Sequence, residues 1–132
     1  DLKDDYLALG YDKEACAEFD SIETIDAIDA VLRDRGYKTE RIGNVFSLMK
    51  QLQSGKRWDL VFNICEGMHG RGREAQVPAL LDAFQIPYVF SDTTMLALTL
   101  DKSLTKRVVR DAGVPTANFF EVSEKPETQN LK

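Results

Sequence analysis

The chain has 132 residues and a mass of 14.9 kDa, the size of one domain, and its 43% hydrophobic and 30% charged residues are ordinary for a soluble globular protein. Its 22 acidic and 17 basic residues give a formal net charge of −5, which argues against nonspecific nucleic-acid binding and a role at a membrane surface. No apolar run is long enough to span a membrane, and two cysteines are too few for a disulfide scaffold or a cysteine-based zinc site, so a reducing cytoplasm is expected.

The first strongly periodic segment of the chain predicts an amphipathic helix. Residues 4–19 show no clear period and are expected to form a long, partly helical loop. Asp20 then has the properties of an N-cap, with Glu23 as its capping-box partner. Apolar residues follow at helical spacing as far as Gly36, which is expected to end the helix.

Strand and helix signals alternate through the rest of the chain. The apolar run 59–64 predicts a strand that is buried on both faces, and a glycine-rich loop follows at 66–73. Four further helices are predicted at 45–52 (after an Asn44 cap), 75–84, 93–100 and 103–112. Three shorter strands are predicted at 37–42, 86–90 and 118–122.

This alternation is typical of right-handed βαβ units, and the predicted fold is therefore a three-layer αβα open parallel sheet with helices on both faces. A doubly wound unit begins with a central strand, whereas the first clear element here is a helix. We therefore expect the chain to lack its first strand, before Asp1, and to be marginally stable or to pair with another copy as a homodimer. The polar residues 123–132 are expected to form a disordered tail or a linker.

The glycine-rich loop is the first candidate site, because ligands of open α/β sheets bind where loops leave the carboxyl ends of strands. Its three glycines allow backbone N–H groups to converge on an anion, and Arg71 and Arg73 can form forked pairs with a carboxylate or a phosphate. The spacing G-x-x-G-x-G matches neither the Walker loop nor the dinucleotide fingerprint. A flexible loop with solvated arginines is the alternative.

Residues near this loop and before the last helix carry weaker signals. His69 can act as a general base or simply orient the loop. Lys102 and Lys106 stand near a helix start, against the helix dipole, which indicates an anionic partner, although a solvated helix face is the simpler explanation. Glu18 has no structural role that the sequence reveals, and Cys65 is expected to pack in the core.

Three stretches of the chain, 59–74, 80–88 and 98–116, carry a family resemblance that spans Glu18 to Phe120. Together they resemble the N-terminal portion of the D-alanine–D-alanine ligases and their relatives in the ATP-grasp superfamily. The third stretch is the most specific, because it places an Asp-Lys pair before a helix that ends in Ala-Gly-Val-Pro-Thr.

The resemblance implies an enzyme of three domains that clasp ATP and Mg²⁺, activate a carboxylate as an acyl phosphate and form an amide bond with an amine. Residues 1–116 would be a Rossmann-like N-terminal substrate-binding domain, and 117–132 the start of, or linker to, the central ATP-grasp domain. The family's Mg²⁺-binding carboxylates and most of its nucleotide-binding residues lie beyond Lys132. No catalytic or metal-binding residue is therefore assigned here, and the fragment alone is expected to be inactive. A true D-alanine ligase would act in the cytoplasm in the synthesis of a peptidoglycan precursor, with amino-acid substrates and ATP as its partners.

Some residues match positions with known roles in the family. Lys102 matches a lysine that reaches the nucleotide phosphates. His69 and Gly70 match a His-Gly pair near the first substrate, where the histidine positions the substrate. Glu18 matches, by its distance from Gly36, a glutamate that binds the ammonium of the first D-amino acid. The family's Gly-Glu-Asp-Gly stretch is Arg-Glu-Ala-Gln at 73–76, which leaves the substrate open.

A stand-alone flavodoxin-like domain that binds or regulates without catalysis is the alternative function. Such regulators need an acidic cluster and a phosphoacceptor aspartate at strand ends, and Asp92 alone qualifies here. The residues therefore favour the ligase hypothesis.

Overall fold

The computed structural model describes residues 1–122, which form six α-helices joined by irregular segments. A short 3₁₀ turn at Arg73–Ala75 leads directly into the fourth helix. None of these helices is long and apolar enough to cross a membrane. The helices are α1 (Lys3–Ala8), α2 (Ile22–Asp34), α3 (Val45–Gln53), α4 (Gln76–Ala83), α5 (Thr93–Leu100) and α6 (Lys102–Asp111).

The described residues contain no β-sheet, so the predicted three-layer αβα fold and the Rossmann-like assignment are wrong. Extended segments meet only at two isolated parallel bridges, one of them between Val61 and Tyr88. There the Val61 amide donates to the Pro87 carbonyl (2.8 Å), and the Val89 amide donates to the Val61 carbonyl (3.0 Å). A sheet requires such bonds to continue along each strand, and here they stop after one residue. Without a sheet, the inference of a missing first strand loses its basis.

Segment 37–42, predicted as a strand, is held by side chains instead of a backbone ladder. The Arg41 guanidinium bonds to Asp26 and Asp29 of α2, at 2.8 Å each. The Arg41 side chain thus attaches segment 37–42 to the surface of α2, whereas a strand would need backbone hydrogen-bond partners. The predicted strand 118–122 is likewise absent, and the predicted tail 123–132 lies outside the described residues.

The helix predictions are confirmed, because α2 to α6 lie within a few residues of their expected positions. Ser21, not Asp20, occupies the N-cap position of α2. Gly36 follows this helix with φ +87°, the left-handed conformation that ends helices. Asn44 caps α3 as predicted, its side-chain oxygen accepting two backbone N–H bonds of 3.1 Å. Segment 4–19 was expected to be partly helical, and α1 occupies its first part.

Buried side chains form two clusters. The larger one fills the space between α3, α4 and the bridge at Val61, and the smaller one lies between α1 and the turns that follow it. The larger cluster consists of Leu48, Leu52, Val61, Val77, Leu81 and Ile86. The smaller cluster consists of Tyr6, Cys16 and Phe19.

Segment 59–64 is buried on one face only, so its predicted burial on both faces is wrong. Val61 and Asn63 point inward, with 7% and 8% of their surface exposed. Leu60 and Phe62 point outward and are 55% and 41% exposed. The apolar run therefore alternates between core and solvent, because the described residues provide no second layer above it.

The junction of α5 with α6 lies close to the glycine-rich loop. Asp101 ends α5 and caps α6, where its Oδ1 accepts a bond of 2.9 Å from the Leu104 amide. Helix α5 packs on the 3₁₀ turn that closes the loop. This packing places the loop opposite the first turn of α6 and so creates the site described below.

Candidate functional site

An open cleft of about 750 Å³ lies between the glycine-rich loop and the junction of α5 with α6. It brings together five of the six residues that the sequence singled out as ligand-binding; His69 is the exception. Those five are Glu18, Gly70, Arg71, Arg73 and Lys102. The remaining lining residues are Glu74, Thr99, Leu100, Asp101 and Glu121.

The start of the loop requires a glycine, Gly67, because its backbone lies close to the backbone of Arg73. Gly67 has φ +66°, and a Cβ atom at this position would lie 2.6 Å from the carbonyl oxygen of Arg73. The Gly67 amide donates a bond of 2.7 Å to Oδ2 of Asp1. Gly70 has φ +99°, and its carbonyl accepts from the Arg73 amide at 3.2 Å. The loop thus folds back on itself as a turn held by these backbone contacts.

Arg73 is enclosed by three carboxylates. Its guanidinium, 18% exposed, donates to Glu18 and lies 4.0 Å from Glu66 and 3.8 Å from Glu74. Burial raises the pKa of Glu66, the nearby Glu74 carboxylate raises it further, and Arg73 opposes both effects. The surroundings of Arg73 are therefore acidic, and its charge is matched within the chain.

Arg71 reaches across the cleft from the tip of the loop. Its side chain, 87% exposed, donates to Oδ2 of Asp101, which is only 17% exposed. The bond from the Leu104 amide, followed by the bond from Arg71, lowers the pKa of Asp101. Asp101 is therefore ionised at neutral pH and joins the loop to α6.

Lys102 is the first residue of α6 and lines the same cleft. Among residues 1–122 it forms no ion pair, unlike Arg71 and Arg73. The Lys102 ammonium attracts anionic groups, and the carboxylate of Asp101 beside it, which already caps the first turn of α6, opposes that attraction. Lys102 can therefore bind a phosphate or carboxylate without first losing a partner.

His69 lies beside the cleft and is not one of its lining residues. The Tyr11 hydroxyl and Nε2 of His69 are 3.1 Å apart, and the two ring centres are 5.9 Å apart. The His69 carbonyl accepts a bond of 2.8 Å from the Gln76 side chain. These contacts hold the part of the loop that precedes Arg71 and Arg73. They fit the orienting role that was one of the two alternatives for this histidine.

Sequence reasoning missed several of the residues that shape this cleft. Glu66 and Glu74 flank the arginines of the loop, and this alternation of charge is a signal that could have indicated internal ion pairs. The sequence marks Asp101 only as the residue before Lys102. Tyr11 lies in a segment without periodicity and gave no signal.

Comparison with known proteins finds relatives over most of the chain. No protein-family model matches it, and no solved structure matches it. The D-alanine–D-alanine ligase of Xylella fastidiosa is 38% identical over 93 residues, which are 70% of this chain and 30% of that enzyme. The D-alanine–D-alanine ligase of Coprothermobacter proteolyticus is 36% identical over 104 residues, 77% of this chain and 33% of that enzyme. An uncharacterized protein of Sinorhizobium fredii is 34% identical over 101 residues, 71% of this chain and 30% of that protein. The chain thus spans about a third of the length of these relatives.

Proposed function

Because the chain is homologous to part of the D-alanine–D-alanine ligases, we propose that it forms the substrate-binding part of an ATP-dependent carboxylate–amine ligase. The observation that carries this proposal is the cleft, which brings the loop residues Gly70, Arg71 and Arg73 together with Glu18 and Lys102 from elsewhere in the chain. Residues 1–116 would hold the substrate, and 117–132 would lead toward the rest of the enzyme. The part of the relatives that this chain does not cover would complete the site.

The charges of the cleft support a division of roles. Lys102 would bind phosphate oxygens, because its ammonium is unpaired among the described residues and stands at the first turn of α6. Glu18 and Glu74 would face the ammonium group of an amino acid, because they leave the surroundings of Arg73 acidic. Gly70 would present its backbone to the same ligand, and His69 would hold the loop through Tyr11.

ATP would supply the phosphoryl group that activates a carboxylate for attack by an amine. The chain would contribute binding and orientation, which account for much of the rate of such transfers when a site holds its reactants in line. Among residues 1–122 no three His, Cys, Asp or Glu side chains are placed to hold a metal ion. The Arg73 guanidinium also fills the space among Glu18, Glu66 and Glu74. Mg²⁺ therefore does not fit this cluster, and no step through a metal is assigned to this chain.

The amino acid that the enzyme would use is set by the neighbourhood of residues 73–76. The relatives named as ligases act on D-alanine by their names, and D-alanine is therefore the first substrate to test. The flavodoxin-like alternative has less support, because Asp92 is occupied as the cap of α5. Its Oδ1 accepts a bond of 2.8 Å from the Met95 amide.

The test is phosphate release by the full-length protein with ATP, Mg²⁺ and a panel of D- and L-amino acids. We expect release that depends on an amino acid, with D-alanine as the first candidate. Lys102→Ala should reduce kcat/KM at least about tenfold, because it removes a charge that faces the transferred phosphoryl group. Lys106→Ala is the matched control, since this lysine donates to the Ala117 carbonyl outside the cleft. Absence of release with every amino acid, or equal losses in the two variants, would contradict the proposal.

A further inference from the structure

Asp101 joins two elements of the cleft, because its two carboxylate oxygens have different partners. Oδ1 accepts a bond of 2.9 Å from the Leu104 amide and so caps α6. Oδ2 accepts from the guanidinium of Arg71, which lies 30 residues earlier in the chain. A single side chain thus fixes both the start of α6 and the tip of the glycine-rich loop.

Capping does not require the charge of Asp101. Asn44 caps α3 with a neutral side chain, and asparagine and aspartate are about equally good N-caps. Asp92 caps α5 through one oxygen and forms no ion pair with any residue in the range 1–122. The charge at Asp101 is the feature that allows it to bind Arg71. The Arg71 side chain, in turn, has Asp101 as its partner among the described residues.

We propose that Asp101 is a positioning residue that holds the loop 66–73, through Arg71, against the first turn of α6. The contact keeps the loop and Lys102 on opposite sides of one cleft, so that a single anionic ligand meets both. The role in ligand binding rests on the function proposed above. The mechanical link between the loop and α6 does not, because it follows from the contacts of Asp101 alone.

The ion pair is accessible to water on the side of Arg71, and its effect is therefore modest. Exposed pairs of this kind shift an equilibrium by roughly two- to fivefold. Opening of the loop should become more frequent by that factor when the pair is removed. The change should be confined to the loop if the helix cap is preserved.

Asp101→Asn separates the two roles, because it keeps an oxygen for the Leu104 amide and removes the charge that binds Arg71. Hydrogen exchange of the wild-type chain would be compared with that of Asp101→Asn, Arg71→Gln and the double variant. Asp92→Asn is the matched control, since it removes the same charge from a helix cap that has no arginine partner among residues 1–122.

We expect amides of residues 66–73 to exchange about two- to fivefold faster in Asp101→Asn and in Arg71→Gln, and no faster in Asp92→Asn. The double variant should match the single variants, because both remove the same contact. Amides of α6 should be unchanged. Faster exchange confined to α6, an equal effect of Asp92→Asn on the loop, or additive effects in the double variant would overturn the link.

Kinetics of the full-length protein test the positioning role in the reaction. Asp101→Asn should raise the KM for both ATP and the amino acid by a similar two- to fivefold factor and change kcat less. Unchanged KM values beside faster loop exchange would overturn the role in ligand binding. A wild-type enzyme without ligase activity would refute the proposed function, and the exchange experiment would still decide the link between Asp101 and the loop.

Discussion

Truncation to alanine at the neighbouring positions Val61 and Leu60 should have unequal effects on the free energy of unfolding. Val61→Ala removes carbon atoms worth about 1.6 kcal/mol in transfer from water, and a cavity adds to this loss because Val61 lies in the larger buried cluster. We expect a total loss of about 2–3 kcal/mol. Leu60 is 55% exposed, so Leu60→Ala should cost about 1 kcal/mol or less despite removing the larger group.

Urea unfolding measures this difference directly. The single tryptophan, Trp58, packs against the larger cluster and provides a fluorescence signal, and circular dichroism follows the helices. The two losses differ by about 1–2 kcal/mol, so with an m value of about 2 kcal/mol per molar urea the midpoints of the two variants should differ by roughly 0.5–1 M. Equal midpoints would refute the reasoning, because they would mean that Val61 and Leu60 are not buried to the different extents seen in the structure.

Two further perturbations test the packing around α2 and the loop. Hydrogen bonds from Thr39 and then Arg41 lower the pKa of Asp29, so its stabilising contribution is complete above its ordinary pKa near 4 and is lost as the pH falls through the lower folded value. Urea midpoints measured between pH 7 and pH 2 should therefore fall less in Asp29→Asn than in the wild type, and parallel curves would contradict this. Gly67→Ala should lower the melting temperature more than Gly55→Ala. Both sites have positive φ, but only the first places a Cβ 2.6 Å from a backbone oxygen. Equal shifts would show that this close approach is absent.

The helices could be predicted from the sequence because their signals are local. A cap, an apolar stripe and a terminal glycine all lie within about 15 residues, as at Asn44 and Gly36. The one-residue error at the start of α2 has the same origin. Asp20 and Ser21 are both good N-caps, and the local sequence does not decide between them.

The strands could not be predicted in the same way, because pairing depends on distant partners. The run 59–64 has the composition of a central strand, yet only Val61 finds a backbone partner, 26 to 28 residues away in the chain. Segment 37–42 has a weak strand pattern and is bound by the carboxylates of α2 instead. The strands predicted at 37–42, 59–64, 86–90 and 118–122 are therefore wrong, because composition does not identify the distant partners that a strand needs.

Several residues that the sequence singled out line the cleft, and their binding of a ligand stays a prediction, whereas the partners of their charges were not predicted. A loop with three glycines and two arginines indicated a binding surface, and the cleft includes it. The sequence favoured external anions as the partners of Arg71 and Arg73. Each arginine instead binds a carboxylate of the chain, 30 and 55 residues away, respectively. Such pairs cannot be predicted from local sequence, for the same reason as strand pairing, because the two partners lie far apart in the chain.

Internal pairing changes how the cleft would bind an anion. A ligand that takes Arg71 or Arg73 must displace Asp101 or Glu18, so binding there exchanges one ion pair for another and gains little net charge attraction. Lys102 forms no ion pair among residues 1–122, so a ligand that binds it displaces no carboxylate. Salt screens the attraction of an unpaired exposed charge, and an exchange of partners cancels much of that dependence. The first contact of an anionic ligand should therefore be with Lys102, and the arginines should follow only if the ligand also satisfies the carboxylates that they release.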